Sequence, residues 1–207
     1  MIDELRSYKI VPGGLADYLK FAEEIAIPFR GDDYGKLLGF WFGEVGAVNS
    51  VFNLWQHKDL NTRQALRAKL QEQEVWRAQY LPHAHPLMRQ QFVRLMTAVV
   101  PFCAPAERGN VYEVRIIRTR TGKAQEVASR FGTGLTADDQ AATVGLWTTI
   151  AGHLNEVVHI SACRDVAARL TRSLQQPEWR HFLGEHGSLV EEIESSLMIP
   201  ANHSPVQ

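Results

Sequence analysis

The chain has very little cysteine: Cys103 and Cys163 are the only two in 207 residues. They lie far apart and form no CxxC pair, so neither a zinc site nor a disulfide framework is indicated, and the reduced thiols of a cytoplasmic protein are the expectation. An excess of charge is also lacking. Lys and Arg number 22 against 23 Asp and Glu, a formal net charge of −1, which removes the electrostatic case for nucleic acid or an anionic membrane as partner. No apolar run approaches the roughly 18 residues of a membrane span, and the opening MIDELRSYKI has acidic residues where a secretory signal needs a basic start. GxGxxG, P-loop, GxSxG and HExxH do not occur, which lowers nucleotide-dependent and hydrolase readings. His83 and His85 stand two apart with no further ligand at metal spacing, so no metal site is expected and no cofactor is indicated.

What the chain does have is a stretch written twice. LGFWFGEVGAVNSVFNLW, from Leu38 to Trp55, returns as VGLWTTIAGHLNEVVHIS from Val144 to Ser161. Gly39, Trp41, Gly46, Asn49 and Val51 recur as Gly145, Trp147, Gly152, Asn155 and Val157, each 106 positions on. Both copies read as β-hairpins, two apolar runs about a glycine-containing break, with Asn49 and Asn155 as turn residues. The match extends outward. Glu4, Arg6 and Gly13 recur as Glu113, Arg115 and Gly122 at an offset of 109, Arg63 recurs as Arg169 at 106, and Trp76 as Trp179 at 103. Offsets that fall in steps of three fit a tandem duplication with indels in its connections.

Within each copy the order reads strand, helix, strand, strand, helix, strand. Ile2 to Val11 alternates as a strand does and stops at Pro12-Gly13-Gly14; apolar residues at Leu15, Tyr18, Leu19, Ala22, Ile25 and Ala26 then follow helical spacing up to Pro28. After the hairpin, Asp59 is placed to cap a helix running toward Trp76 and Tyr80, and Gln91 to Val100 reads as the last strand. This βαββαβ order is that of a ferredoxin-like unit, an antiparallel sheet with both helices on one face. The predicted fold is therefore α+β: tandem ferredoxin-like repeats, residues 1–103 and 109–200, packed sheet to sheet as an intrachain pseudo-dimeric α+β barrel, with 201–207 as an unpacked tail.

DELRSY followed by PG, then GFWFGEVGAVNSVFNLWQHKDLNTR and EVWRAQYLP, resembles the NIPSNAP family, whose members are similar to the dimeric α+β barrel superfamily. The likeness covers Asp3 to about Val100 well. It is looser in the second copy, where Ser161 replaces Trp55. The family's members are mostly of unassigned activity, and superfamily neighbours include cofactor-independent oxygenases, isomerases, dechlorinators and haem-handling proteins. If the chain is an enzyme, the resemblance implies a cofactor-independent oxygenase or isomerase-like activity.

Glu4 and Arg6 lie two apart on a strand and share a face, as do Glu113 and Arg115. With Leu5, Val114 and Ile116 set against the helices, these charges would face the barrel interior. There Arg6 and Arg115 could fork an anionic or carbonyl-bearing ligand, or simply pair with a glutamate across the pseudo-dimer interface. Trp41 and Trp147 are cavity walls or, more commonly for strand tryptophans, core. Arg63 and Arg169 are expected to make solvated or capping contacts. His159, matching Asn53 in mid-strand, is the best single candidate for a general base, with a hydrogen-bonded core histidine as the plainer role. Two functions remain open. One is a small-molecule protein using a cleft between the two sheets, walled by Arg6, Tyr8, Trp41, Arg115, Trp147 and His159. The other is an interaction or scaffold module with a solid barrel. Self-association through sheet edges or helices is compatible with either.

Overall fold

The computed structural model describes all residues except 136, 168 and 170–176, and the side chains of 177–179. The first repeat runs β1 (Ile2–Ile10), α1 (Leu15–Phe21), a π-helical turn (Ala22–Ala26), α2 (Ile27–Arg30), β2 (Lys36–Val45), β3 (Ser50–His57), α3 (Leu60–Glu72), a second π-helical turn (Val75–Tyr80), α4 (Leu81–Ala84) and β4 (Met88–Val100). The second runs β5 (Val111–Thr119), α5 (Ala124–Gly134), α6 (Ala137–Ala142), β6 (Thr143–Ala151), β7 (Glu156–Cys163), α7 (Pro177–His186) and β8 (Val190–Pro200). Asp59 caps α3 as its chemistry suggests, its Oδ1 accepting from Thr62 N at 2.7 Å. The repeated Trp76 lies in the second π-turn; its counterpart Trp179 has its side chain outside the described residues.

Eight strands close into one barrel in the order β1-β3-β2-β8-β5-β7-β6-β4, every neighbouring pair antiparallel. Each repeat supplies four adjacent strands. The two sheets join where β2 meets β8 and β4 meets β6. Among the described residues every strand is paired on both sides, so the sheet has no open edge. The hairpins keep one geometry: both carry a register shift just before their repeated glycine, between Leu37 and Gly39 and between Thr143 and Gly145. Asn49 and Asn155 take the left-handed conformation that ends each turn, φ 54° and 63°. Gly39 and Gly145 have a different reason to be small. A β-carbon there would come within 2.0 and 2.2 Å of the Trp41 and Trp147 rings, which fold back over the glycine two residues earlier.

Strand parity divides the side chains into three cores. Leu5, Leu54, Val114 and Ile160, with Trp41 and Trp147, fill the interior between the sheets. Val51, Phe40 and Trp55 meet the first repeat's helices at Tyr18, Ala22, Leu70 and Trp76. Ile117, Leu146 and Val157 meet Val127, Phe131 and Phe182 in the second. This corrects the expected orientation of the charged pairs: Leu5, Val114 and Ile116 point into the barrel, and Glu4, Arg6, Glu113 and Arg115 therefore face the helices. The aliphatic parity of β1 and β5 thus packs between the sheets, and the charged parity meets the arginines of the helix layer.

The barrel is blocked at one end and open at the other. The supposed unpacked tail closes the lower end with the linker. Phe102 and Val206 both join the interior core. Ala201 N donates to Phe40 O at 3.0 Å, and Phe40 N donates to Ser204 Oγ at 3.0 Å. A short polar tail packs here because strand β8 delivers it directly onto the backbone of β2.

Candidate functional site

Among the described residues two cavities bear on function. The larger, about 230 Å³, lies at the open end of the barrel between the sheets, beside Ser7, Ser50, Phe52, Arg94 and Ile116. Of the residues proposed from sequence, only Tyr8 reaches its wall. Its charges are largely answered within the chain, since buried Glu156 accepts from Arg94 Nε at 2.7 Å and lies 3.7 Å from Arg118.

The other cavity, about 130 Å³, lies between the sheet and helices of the first repeat. Strand β1 contributes Arg6 and Tyr8, β3 contributes Asn53 and Trp55, and the helical layer closes over them with Tyr18, Arg30, Arg67, Trp76 and Tyr80. Ala22 and Ala26 on the first π-turn, with Trp76 and Tyr80 on the second, place both rare helical distortions on this wall. Such π-turns concentrate at functional sites.

The electrostatics are lopsided. Glu4 is 1% exposed and holds two arginines, accepting from Arg6 Nη1 at 2.5 Å and Arg63 Nε at 2.5 Å. Burial alone would raise its pKa, but the Arg63 hydrogen bond and the Arg6 cation prevail and bring it down to about 2. Arg6 also donates to the Tyr8 hydroxyl. That accounts for the Glu4 carboxylate. Arg30 and Arg67 have no carboxylate within 4 Å among the described residues. Arg30 instead donates to Tyr34 O at 3.1 Å and lies 3.5 Å from the centre of the Trp55 ring, a cation–π contact. Burial and then the Arg67 cation push its pKa down to about 9, still charged at neutral pH. Burial and then the Arg6 cation lower that of Arg67. Burial holds the Tyr18 hydroxyl well above its usual range and Tyr80 at about 12, so both remain protonated donors.

Among the described residues the second repeat has the same frame with different chemistry at the cavity's positions. Glu113 again bridges two arginines, Arg115 at 2.7 Å and Arg169 from the helix layer. Arg63 and Arg169 are therefore not solvated or capping residues but the outer members of two matched Arg–Glu–Arg clusters, each glutamate pairing on its own strand rather than across the sheets. At the matching positions Tyr8 becomes Ile117, Tyr18 becomes Val127, Ala22 becomes Phe131 and Trp55 becomes Ser161. Phe131 is 2% exposed, edge-on to Phe182 and to His159. His159 is 3% exposed, pairs through Nε2 with Thr143 Oγ1 at 3.1 Å, and has its pKa depressed to about 3 by burial and then by Arg115. It is a neutral packed histidine and lines neither cavity.

The structure thus brings Arg6 and Tyr8 together on one cavity wall and sets Arg115 opposite His159 on β5 and β7, in the other repeat. Trp41 and Trp147 have no exposed surface; Trp41 packs against Tyr112 and Trp147 Nε1 donates to Asp3 Oδ2 at 2.7 Å, across the two repeats. Among the described residues no three His, Cys, Asp or Glu side chains converge as metal ligands do, and no helix is long and apolar enough to cross a membrane.

The NIPSNAP family model matches residues 3–104 and again 112–205. The chain belongs to the NIPSNAP family. It is similar to human protein NipSnap homolog 3A, 26% identical over 99% of this chain and 85% of that protein, and to the Dictyostelium discoideum NipSnap homolog, 24% identical over 95% and 86%. Among solved structures, a Fusobacterium nucleatum protein named provisionally as a monooxygenase superposes with a TM-score of 0.72 at 10% identity, covering 100% of this chain and 97% of its own. An anthrone oxidase-like protein superposes at 0.69 with 12% identity, covering 99% and 95%. At such identities these two likenesses establish the pseudo-dimeric barrel fold alone.

Proposed function

We propose that this NIPSNAP protein binds one small anion per chain, in the cavity between sheet and helices of its first repeat. The observation that carries the reading is the contrast between the halves. One chain holds the same scaffold twice. Among the described residues it sets Phe131, Val127 and Ile117 in one copy at the positions that Ala22, Tyr18 and Tyr8 hold in the other, where a cavity is lined by tyrosines and by two arginines without carboxylate partners. A fold maintained only for stability or as a scaffold has little use for a buried guanidinium group such as that of Arg30 without a carboxylate beside it, which costs free energy until an anion meets it. Both cysteines are free thiols, which suits a reducing compartment such as the cytoplasm.

The test imports the second repeat's solution into the first. Ala22→Phe copies the aromatic found at Phe131 and fills the cavity. In a thermal-shift screen of small carboxylates, phosphate and sulfate, at least one anion should raise the wild-type Tm and leave Ala22→Phe unmoved. If every anion shifts both proteins equally, the site lies elsewhere.

A further inference from the structure

The cavity at the open end of the barrel belongs to neither repeat alone. Its mouth is framed by Ala47 and His153, at matched places in the two hairpin turns, and its floor by Phe52, Val114 and Ile116, all members of the interior core. Val48 and Leu154, one residue further along each turn, are 56% and 60% exposed, so apolar side chains stand at the entrance as well as on the floor. The charges are not distributed alike. Arg118 of β5 stands in register with Glu156 on one neighbouring strand and Glu192 on the other, and pairs with both. Lys9 holds the matched place on β1, but its register partners are Ser50 and Gln90, and the diagonal positions on the same face are Phe52 and Phe92. Among the described residues Lys9 has no carboxylate within 4 Å. Glu194 also borders the cavity, but it lies diagonal to Arg118 on the same face, within reach of that guanidinium.

An exposed ammonium above an apolar floor is complementary to an amphiphile with an anionic head. The volume, about 230 Å³, set against the roughly 150 Å³ that accommodates benzene, holds about nine heavy atoms. With a carboxylate at the rim, roughly seven carbons of chain fit below it. We propose that the mouth of the barrel is a second ligand site, for a linear medium-chain monocarboxylate, with its head at Lys9 and its chain over Phe52, Val114 and Ile116. A compact anion gains little there, because an exposed ammonium alone holds it weakly and only the chain removes apolar surface from water. The site thus takes a different molecule from the cavity between sheet and helices.

Calorimetric titration of the full chain with butanoate, octanoate, octanol and octylammonium tests both halves of the ligand. Octanoate is expected to bind at least about tenfold more tightly than butanoate, since each buried methylene adds to affinity, and about three- to fivefold more tightly than octanol or octylammonium. Lys9→Gln, a change at an exposed residue, should bring octanoate down to the level of octanol. Ser196→Phe, which fills the cavity from β8, should abolish octanoate binding. If octanol or octylammonium binds as tightly as octanoate, or affinity does not rise with chain length, the inference fails. It fails equally if Lys9→Gln holds octanoate as tightly as the wild type, because the chain then lies elsewhere. The ligand series and Lys9→Gln decide among these outcomes even where Ser196→Phe does not fold.

Discussion

Glu4→Gln is the perturbation whose size follows most directly from the structure. The substitution preserves shape and removes the one charge that Arg6 and Arg63 share. With the carboxyl held at about 2 against 4.5 ordinarily, and about 1.36 kcal/mol per pKa unit, the ionised form contributes roughly 3 kcal/mol to stability at pH 7. The folded-state pKa is depressed, so this stability is present above about pH 4.5 and is lost as pH falls toward 2. By pH 3 between about 1 and 2 kcal/mol should remain. Urea unfolding of wild type and Glu4→Gln at pH 7, 5, 4 and 3 measures it, provided the slope with denaturant is shared. The expected result is a difference near 3 kcal/mol at pH 7 and 5 that narrows at pH 4 and again at pH 3. A difference below about 1 kcal/mol at pH 7, or one that does not change with pH, would refute the claim that the arginines, rather than burial, set the state of this carboxylate.

Three further outcomes are expected. Arg30→Met should raise the Tm of the ligand-free protein, because it removes a buried cation with no carboxylate beside it; a marked loss of stability would mean that stacking on Trp55 outweighs the charge. Trp41→Ala should cost about 3 to 5 kcal/mol in urea melts through cavity formation, and Gly39→Ala, which drives a β-carbon into the same ring, about 1 to 3. Truncation after Pro200 should destabilise by roughly 2 kcal/mol, the order of burying one valine, and an unchanged Tm would show that Val206 does not plug the barrel.

The fold was legible because its signals are periodic and repeated. Gly39-x-Trp41 and Gly145-x-Trp147 mark the same hairpin twice, and the structure supplies the reason: a glycine must lie under each ring. The site was much less legible. Reasoning from what recurs selected Trp41, Trp147, Glu4, Arg6 and their counterparts, and most of these hold the scaffold. Arg30, Trp55, Tyr18 and Tyr80 were passed over because they have no counterpart of like chemistry in the second repeat. The informative signal was the departures, Trp55 against Ser161 and Tyr8 against Ile117, where a shared frame is lined differently. Which face of β1 met the helices could not be decided from alternation alone, since both faces are buried and parity carries no label for inside.

The closed hydrogen-bond circuit of the barrel has a consequence for how the chain reaches its native state. Strand β2 pairs with β8, so Trp41 waits for Pro200, the last residue of the sheet to be synthesised. Until then the first repeat presents two unpaired margins, β2 and β4, and an apolar inner face. Pairings so distant in sequence form slowly, and open strand margins invite the wrong partner. Barrel closure should therefore be the late, rate-limiting event of folding. A nascent or truncated chain of residues 1–103 should capture a second copy of itself through those same margins.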